Sequence, residues 1–334
     1  MSVRQHRRLI LAAALALAAL TGCGAEGAAS GEKSGGASDT RVFAADNGEV
    51  RIPVDPERVV ATGYAVPVLI EAEAALVGIS SWRRGLPMMT AQDRSTYDRL
   101  PKVAGEMAAE TNYEAIAAAK PDLIVIGVPK PVLGDIDMKR LESIAPVVAI
   151  GPKLPDGWRE VSRQQVDAAG RAAHFQASRE AYEKRAGELK EKYGSVLGGL
   201  KFGHLGAYGE VAKGTFHREF AGSWGTNIAQ DIGVNYYGAV RKKDGGALDV
   251  TEYPALEELP ESLGEADAIT YTLEPDGTPG EAVRHVLDSA LWKNLPAVKA
   301  GRVFPLRHTE ASTHESALKT LDAIDRAFAP LLAR

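Results

Sequence analysis

Residues 175–197, FQASREAYEKRAGELKEKYGSVL, run for 23 positions in good helix formers with no proline, and nothing constrains the chain more. Such a helix spans roughly 35 Å at 1.5 Å per residue, about the diameter of one domain. On both sides of it short β-rich runs alternate with helical patterns, which is α/β architecture. Before it come RVVATGY (58–64), LVGIS (76–80), LIVIG (123–127) and PVVAIG (146–151), with a helical stretch at 68–76 and another from residue 112 that Pro121 stops. LIVIG is apolar throughout, as in a parallel strand covered on both faces. After it come KFGHLGAYG (201–209), DAITYTL (267–273) and GRVFPLR (301–307), with helices expected over 220–233 and 280–292. The last helix is predicted to start on a capping box, Ser312 with Glu315, and it turns Leu318, Leu321, Ile324, Phe328 and Leu331 inward. The expected fold is two α/β lobes, each built on a parallel sheet, joined by a single long helix.

The N-terminus points outside the cytoplasm. Arg4, His6, Arg7 and Arg8 precede an apolar run, Leu9–Leu20, too short for an ordinary membrane span, and then Leu20-Thr21-Gly22-Cys23. That ending resembles a bacterial lipobox, whose cysteine is lipidated and becomes the mature N-terminus. Cys23 is the chain's only cysteine, so no internal disulfide forms. Acylation of Cys23 makes a membrane tether. Residues 24–40 are rich in Gly, Ala and Ser and read as a flexible linker. The signal holds three of the 39 Lys and Arg and no acid, leaving 36 positive against 44 negative groups, a charge of −8. That balance argues against a nucleic-acid surface. The expected divisions are a signal peptide at 1–22, a lipidated linker at 23–47, an N-terminal lobe at 48–173, the joining helix at 174–199 and a C-terminal lobe at 200–334.

Three stretches together resemble one family. ETNYEAIAAAKPDLIVIG (110–127), IPVDPERVVATGY (52–64) and LWKNLPAVKAGRVFPL (291–306) are similar to segments of the substrate-binding proteins of bacterial iron-siderophore and cobalamin importers. The resemblance runs from about residue 48 to the C-terminus. It points to the ferric-siderophore group, with hydroxamate ligands preferred and haem or cobalamin as the alternative cargo. It implies a monomeric, extracytoplasmic lipoprotein that serves an ABC permease and its ATPase, with small opening motions because a helix is a stiff link. It also implies that an acid on each lobe meets the permease. Glu110 matches the first of these positions, and Glu257 is placed in the second, with Glu252 as the fallback. Most of the motif residues themselves read as scaffold.

Ligands of open α/β sheets lie beyond the carboxyl ends of the strands. Those ends offer Tyr64; Trp82, Arg83 and Arg84, with Met88 nearby; Met107; Lys130; and Trp158. From the second lobe come Tyr208, Phe216, Trp224, Tyr271 and Arg307 with His308, or residues 309–314 instead of that last pair. A ferric siderophore already saturates its iron, so the protein supplies an apolar wall and a few donors and no metal ligand. Tryptophan and tyrosine give rigid area, and guanidinium gives fixed donors. The arginine near the first acid and the tyrosine after the following strand, used by some hydroxamate receptors, are replaced here by Met107-Ala108-Ala109 and Val128-Pro129-Lys130. Arg83 or Arg84 is expected to substitute.

Other classes fit less well. The chain lacks G-x-S-x-G, the P-loop and H-E-x-x-H, and its G-x-G-x-x-G spacing, Gly22-Gly24-Gly27, falls at the lipobox and follows no expected strand, so no enzyme and no cofactor is expected. Of its seven histidines one leaves with the signal and the other six lie at position 174 or beyond. A bare zinc or manganese site would need ligands from both lobes.

Overall fold

The computed structural model describes residues 39–333, so the expected signal peptide, Cys23 and most of the expected linker lie outside the described residues. The linker expected to reach residue 47 ends sooner, because Thr40–Ala45 (β1) pairs antiparallel with Gly48–Pro53 (β2). The two-residue turn Asp46-Asn47, followed by Gly48, is strong hairpin chemistry that composition alone hid. Its side chains are used at once: Asn47 Nδ2 donates to the Val147 carbonyl (3.0 Å) and its Oδ1 accepts from Ala149 N (2.9 Å). The hairpin turn thus docks on what would otherwise be a bare sheet edge.

The expected apolar runs become strands, and three short strands that the sequence does not signal, Lys102–Ala104, Arg218–Glu219 and Thr251–Glu252, join them. Val59–Gly63 (β3), Leu76–Ser80 (β4), Lys102–Ala104 (β5), Leu123–Gly127 (β6) and Val147–Ala149 (β7) form an all-parallel sheet in the order β5-β4-β3-β6-β7. The second sheet uses Phe202–Leu205 (β8), Arg218–Glu219 (β9), Thr251–Glu252 (β10), Ala268–Thr272 (β11) and Val303–Leu306 (β12), in the order β10-β9-β8-β11-β12. The two orders correspond place for place. The second sheet is mixed, however: β8, β11 and β12 run parallel, while β9 and β10 continue it antiparallel. In each sheet the order reverses beside the first strand, β3 or β8, which opens a crevice at its carboxyl end.

The long helix runs Ala172–Leu197, 26 residues, and buries Phe175, Tyr182, Ala186, Leu189, Tyr193 and Leu197 along one stripe. The last helix, His314–Phe328, starts one residue later than its sequence predicts. Thr313 is the cap and pairs reciprocally with Ser316. This helix packs along the long one, where Tyr193 Oη donates to the Asp325 carbonyl (2.8 Å). It also reaches the first lobe: Lys319 Nζ donates to the Met88 and Met89 carbonyls at 2.7 and 2.8 Å. Two expected helices are shortened or broken. In 220–233 only Asn227–Asp231 is helical, and the turn before it brings Gly225 so close to His204 and Glu219 that a Cβ there would lie 2.2 Å from each. The 280–292 stretch divides at Ser289, which caps Ala290–Lys293 by accepting from Trp292 N (3.1 Å).

Candidate ligand-binding cleft

The crevice beside β3 is built by close backbone contact. Gly63 sits at φ +60°, and a Cβ there would fall 2.4 Å from the Gly127 carbonyl oxygen. Tyr64 N donates to that same carbonyl (2.8 Å), which fixes the tyrosine at the strand end as helix Ala65–Glu71 begins. Trp82 follows β4 and is 3% exposed, with its backbone N–H on Tyr97 Oη (2.9 Å). Tyr64 meets it edge-on at 4.8 Å. The Arg84 guanidinium lies 4.1 Å above the Trp82 ring and 4.9 Å above that of Tyr64, a cation–π arrangement. From the second lobe Trp224 stacks on Tyr64, with centroids 5.6 Å and planes 9° apart.

Two hollows open against this aromatic group. One, about 140 Å³, is lined by Tyr64, Trp82, Arg84, Gly85, Met88, Tyr208, Trp224 and Glu310. The other, about 200 Å³, shares Arg84, Met88, Tyr208 and Glu310 and adds Ala207, Thr272, Leu273, Glu274, Pro275, His308 and Thr309, which follow β8, β11 and β12. Both therefore lie at strand carboxyl ends and take residues from both lobes. Burial raises the pKa of the Tyr64 hydroxyl, and Arg84 opposes that shift. Burial likewise raises the Glu310 carboxyl, again against Arg84. His308 is pushed down by burial and then by Arg307, Lys319 and Arg326. A larger hollow, about 480 Å³, lies along the long helix, but its charges face one another: Arg159 with Asp231, Arg163 with Glu160 and Arg179 with Glu183.

Of the residues expected from sequence, Tyr64, Trp82, Arg84, Tyr208 and Trp224 come together, with Met88 beside them. Seven do not line this cleft. Arg83 turns outward to Glu106 at 3.2 Å. Met107 is 68% exposed beside the Glu110 turn, and Lys130 is exposed at the start of another turn. Trp158 is 1% exposed and donates its indole N–H to Asn227 Oδ1 (3.0 Å), so it packs the helices instead. Phe216 is 1% exposed in the second lobe's core. Tyr271 faces Trp292 on the opposite side of β11 from Thr272, as the two-residue alternation of a strand requires. Arg307 donates to the Pro275 carbonyl. Glu310 carries no individual signal in the sequence, although the carboxyl-end rule covers its loop.

The two docking candidates occupy corresponding turns. Glu110 is exposed at the end of the turn Ala108–Glu110, and its Oε2 accepts from Met107 N (3.0 Å). In the second lobe the same cap is made by Glu258, whose Oε1 accepts from Ala255 N (3.2 Å) and which is also ion-paired with Arg241. Glu257, one position earlier, is exposed. Glu252 pairs with Arg241 at 3.5 Å.

No family model matches the chain. It is 25% identical over 293 residues to the iron(3+)-hydroxamate-binding protein YxeB of Bacillus subtilis, covering 86% of this chain and 84% of that one. It is 27% identical over 307 residues to the iron(3+)-hydroxamate-binding protein FhuD of the same bacterium, covering 88% of each. Among solved structures, the siderophore periplasmic binding protein from the fuscachelin gene cluster of Thermobifida fusca superposes with a TM-score of 0.66 at 29% identity, covering 84% of this chain and 98% of that one. Fold and cleft resemble those of the two-lobed substrate-binding proteins of ABC importers. Within that class the chain matches the siderophore-binding proteins.

Proposed function

We propose that this protein captures a ferric siderophore, of the hydroxamate type, between its lobes and delivers it to an ABC permease for iron uptake. The observation that carries the reading is the cleft itself. Tyr64, Trp82 and Trp224 give a rigid apolar wall, and the Arg84 guanidinium gives donors where chelating oxygens would lie. The hydroxamate choice is supported by what the two Bacillus relatives are named for. In this reading Cys23 carries the lipid anchor outside the cytoplasm. Glu110 docks one lobe, with Glu257 or its neighbour Glu258 docking the other. The long helix and the Lys319 contacts to the first lobe favour a small opening.

Intrinsic tryptophan fluorescence tests the cargo. The chain from residue 24 onward, which keeps every described element, is titrated with ferric hydroxamates, ferric catecholates, haem and cobalamin. Saturable quenching by sub-micromolar ferric hydroxamate, and not by the iron-free chelator, is expected. A response to haem or cobalamin alone would replace the cargo, and silence toward all four would remove the reading.

A further inference from the structure

We propose that Glu310 sets a charge preference in the cleft, so that the protein favours ferric siderophores carrying a protonated amine over neutral ones, and neutral ones over trianionic ones. This rests on the siderophore reading above. Glu310 lines both hollows, four residues past the end of β12, and faces Arg84, Tyr208 and Met88. Tyr208 Oη donates to its Oε1, while its other oxygen makes no hydrogen bond among the described residues. That oxygen is therefore left for an incoming donor.

The charges around it fix the sign. Among the residues lining the two hollows, Arg84 is the single cation, against the carboxylates of Glu274 and Glu310. His308 adds no charge at neutral pH, because burial and its cationic neighbours hold it neutral. Arg83 is paired with Glu106; Arg307 and Lys319 keep their charge, but they donate to the Pro275 and to the Met88 and Met89 carbonyls and do not line the hollows, and the cation that acts on Glu310 is Arg84. Arg84 itself lies over two aromatic faces, which already offset part of its charge.

Iron(III) held by three hydroxamates is neutral, and by three catecholates it carries three negative charges. A pendant ammonium adds one positive charge. A half-buried carboxylate beside an aromatic wall acts through a lower effective dielectric than water, so it attracts the ammonium and repels the trianion. Burial also raises the Glu310 carboxyl, so the preference must weaken as the pH falls through that raised value.

Calorimetry tests this with the chain from residue 24 and three ferric complexes: a linear trihydroxamate with a free amine, the same chelator with the amine acetylated, and a tris-catecholate. The free amine is expected to bind about tenfold tighter than its acetylated form, a difference of ~1.4 kcal/mol. In Glu310→Gln the two should bind within twofold of each other, and the tris-catecholate should gain affinity. Equal binding of the amine and acetylated forms by the unaltered protein overturns the proposal, a comparison that needs no variant to fold. An unchanged preference in Glu310→Gln overturns it as well. Failure of both hydroxamates to bind removes the cargo reading and this proposal together, whereas binding without charge preference removes this proposal alone.

Discussion

Tyr64 and Trp224 lie face to face across the cleft, one from each lobe, with ring centroids 5.6 Å and planes 9° apart. Both rings line one of the two hollows at the strand ends, so a ligand seated there is expected to touch them. Trp224 should therefore report binding. Replacing it by phenylalanine keeps an apolar wall but removes the indole, and most of the ligand-induced quenching should vanish. Tyr64→Ala removes one face of the stack, and the dissociation constant is expected to rise roughly tenfold. Full quenching in Trp224→Phe would assign the signal to Trp82 and argue against contact at the stack.

The adjacent arginines should separate cleanly. Arg84 lies over Trp82 and Tyr64 and lines both hollows, whereas Arg83 points out to Glu106 with its side chain 80% exposed. An exposed ion pair of that kind contributes little to stability, about 0–1 kcal/mol. Arg83→Ala should therefore leave both ligand affinity and melting temperature nearly unchanged. Arg84→Ala should weaken ferric-siderophore binding at least about tenfold. Equal losses in the two variants would contradict the geometry.

These two residues also mark how far the sequence can be read. Uninterrupted runs such as LIVIG reveal buried parallel strands, and the carboxyl-end rule then finds the loops bearing Tyr64, Trp82 and Arg84. What the rule lacks is direction. Arg83 and Arg84 begin a tight turn, Arg83–Met88, whose orientation no periodicity encodes. Trp158 follows β7 and Phe216 lies just before β9, in loops that could carry ligand residues, yet large aromatics are equally good core, and only packing tells the two apart. Tyr271 was decidable in principle, because strand alternation opposes it to Thr272. Glu310 gave no signal beyond its loop, since a lone carboxylate is a common surface residue.

Trp158 supplies a test in which stability and binding part company. Its indole N–H meets Asn227 Oδ1 at 3.0 Å, and its ring packs edge-on against Tyr182 at 5.9 Å and His314 at 4.9 Å. Trp158→Phe deletes the donor and part of the ring, at a cost of about 1–3 kcal/mol. Thermal unfolding should move down by a few degrees while ferric-siderophore affinity stays within about twofold. A large affinity loss with unchanged melting would restore Trp158 to the ligand site.

The pH dependence of stability should show two opposing windows at the junction of the lobes. His314 is 5% exposed beneath the rings of Trp158, Phe175 and Tyr182, and burial, aided by Arg159 and Arg179, pushes it down to about 4. Between its ordinary value and about 4 the unfolded chain binds a proton that the native protein does not, so stability falls as the pH is lowered through that range. Glu71 behaves in the opposite sense. Desolvation raises its carboxyl well above the ordinary range; Glu315 and Asp93 add to the shift, and Thr313 and Lys319 oppose it. Here the native protein holds the extra proton, so stability falls as the pH rises from the ordinary carboxylate range through the raised value. Melting temperatures measured from pH 4 to 8 on the unaltered protein, His314→Phe and Glu71→Gln should resolve the two. His314→Phe should flatten the acid limb and leave the other. Glu71→Gln keeps a hydrogen-bonding group for Thr313 and should flatten the limb that descends toward higher pH. If His314→Phe keeps the full acid slope, other groups set that limb and the buried neutral imidazole does not.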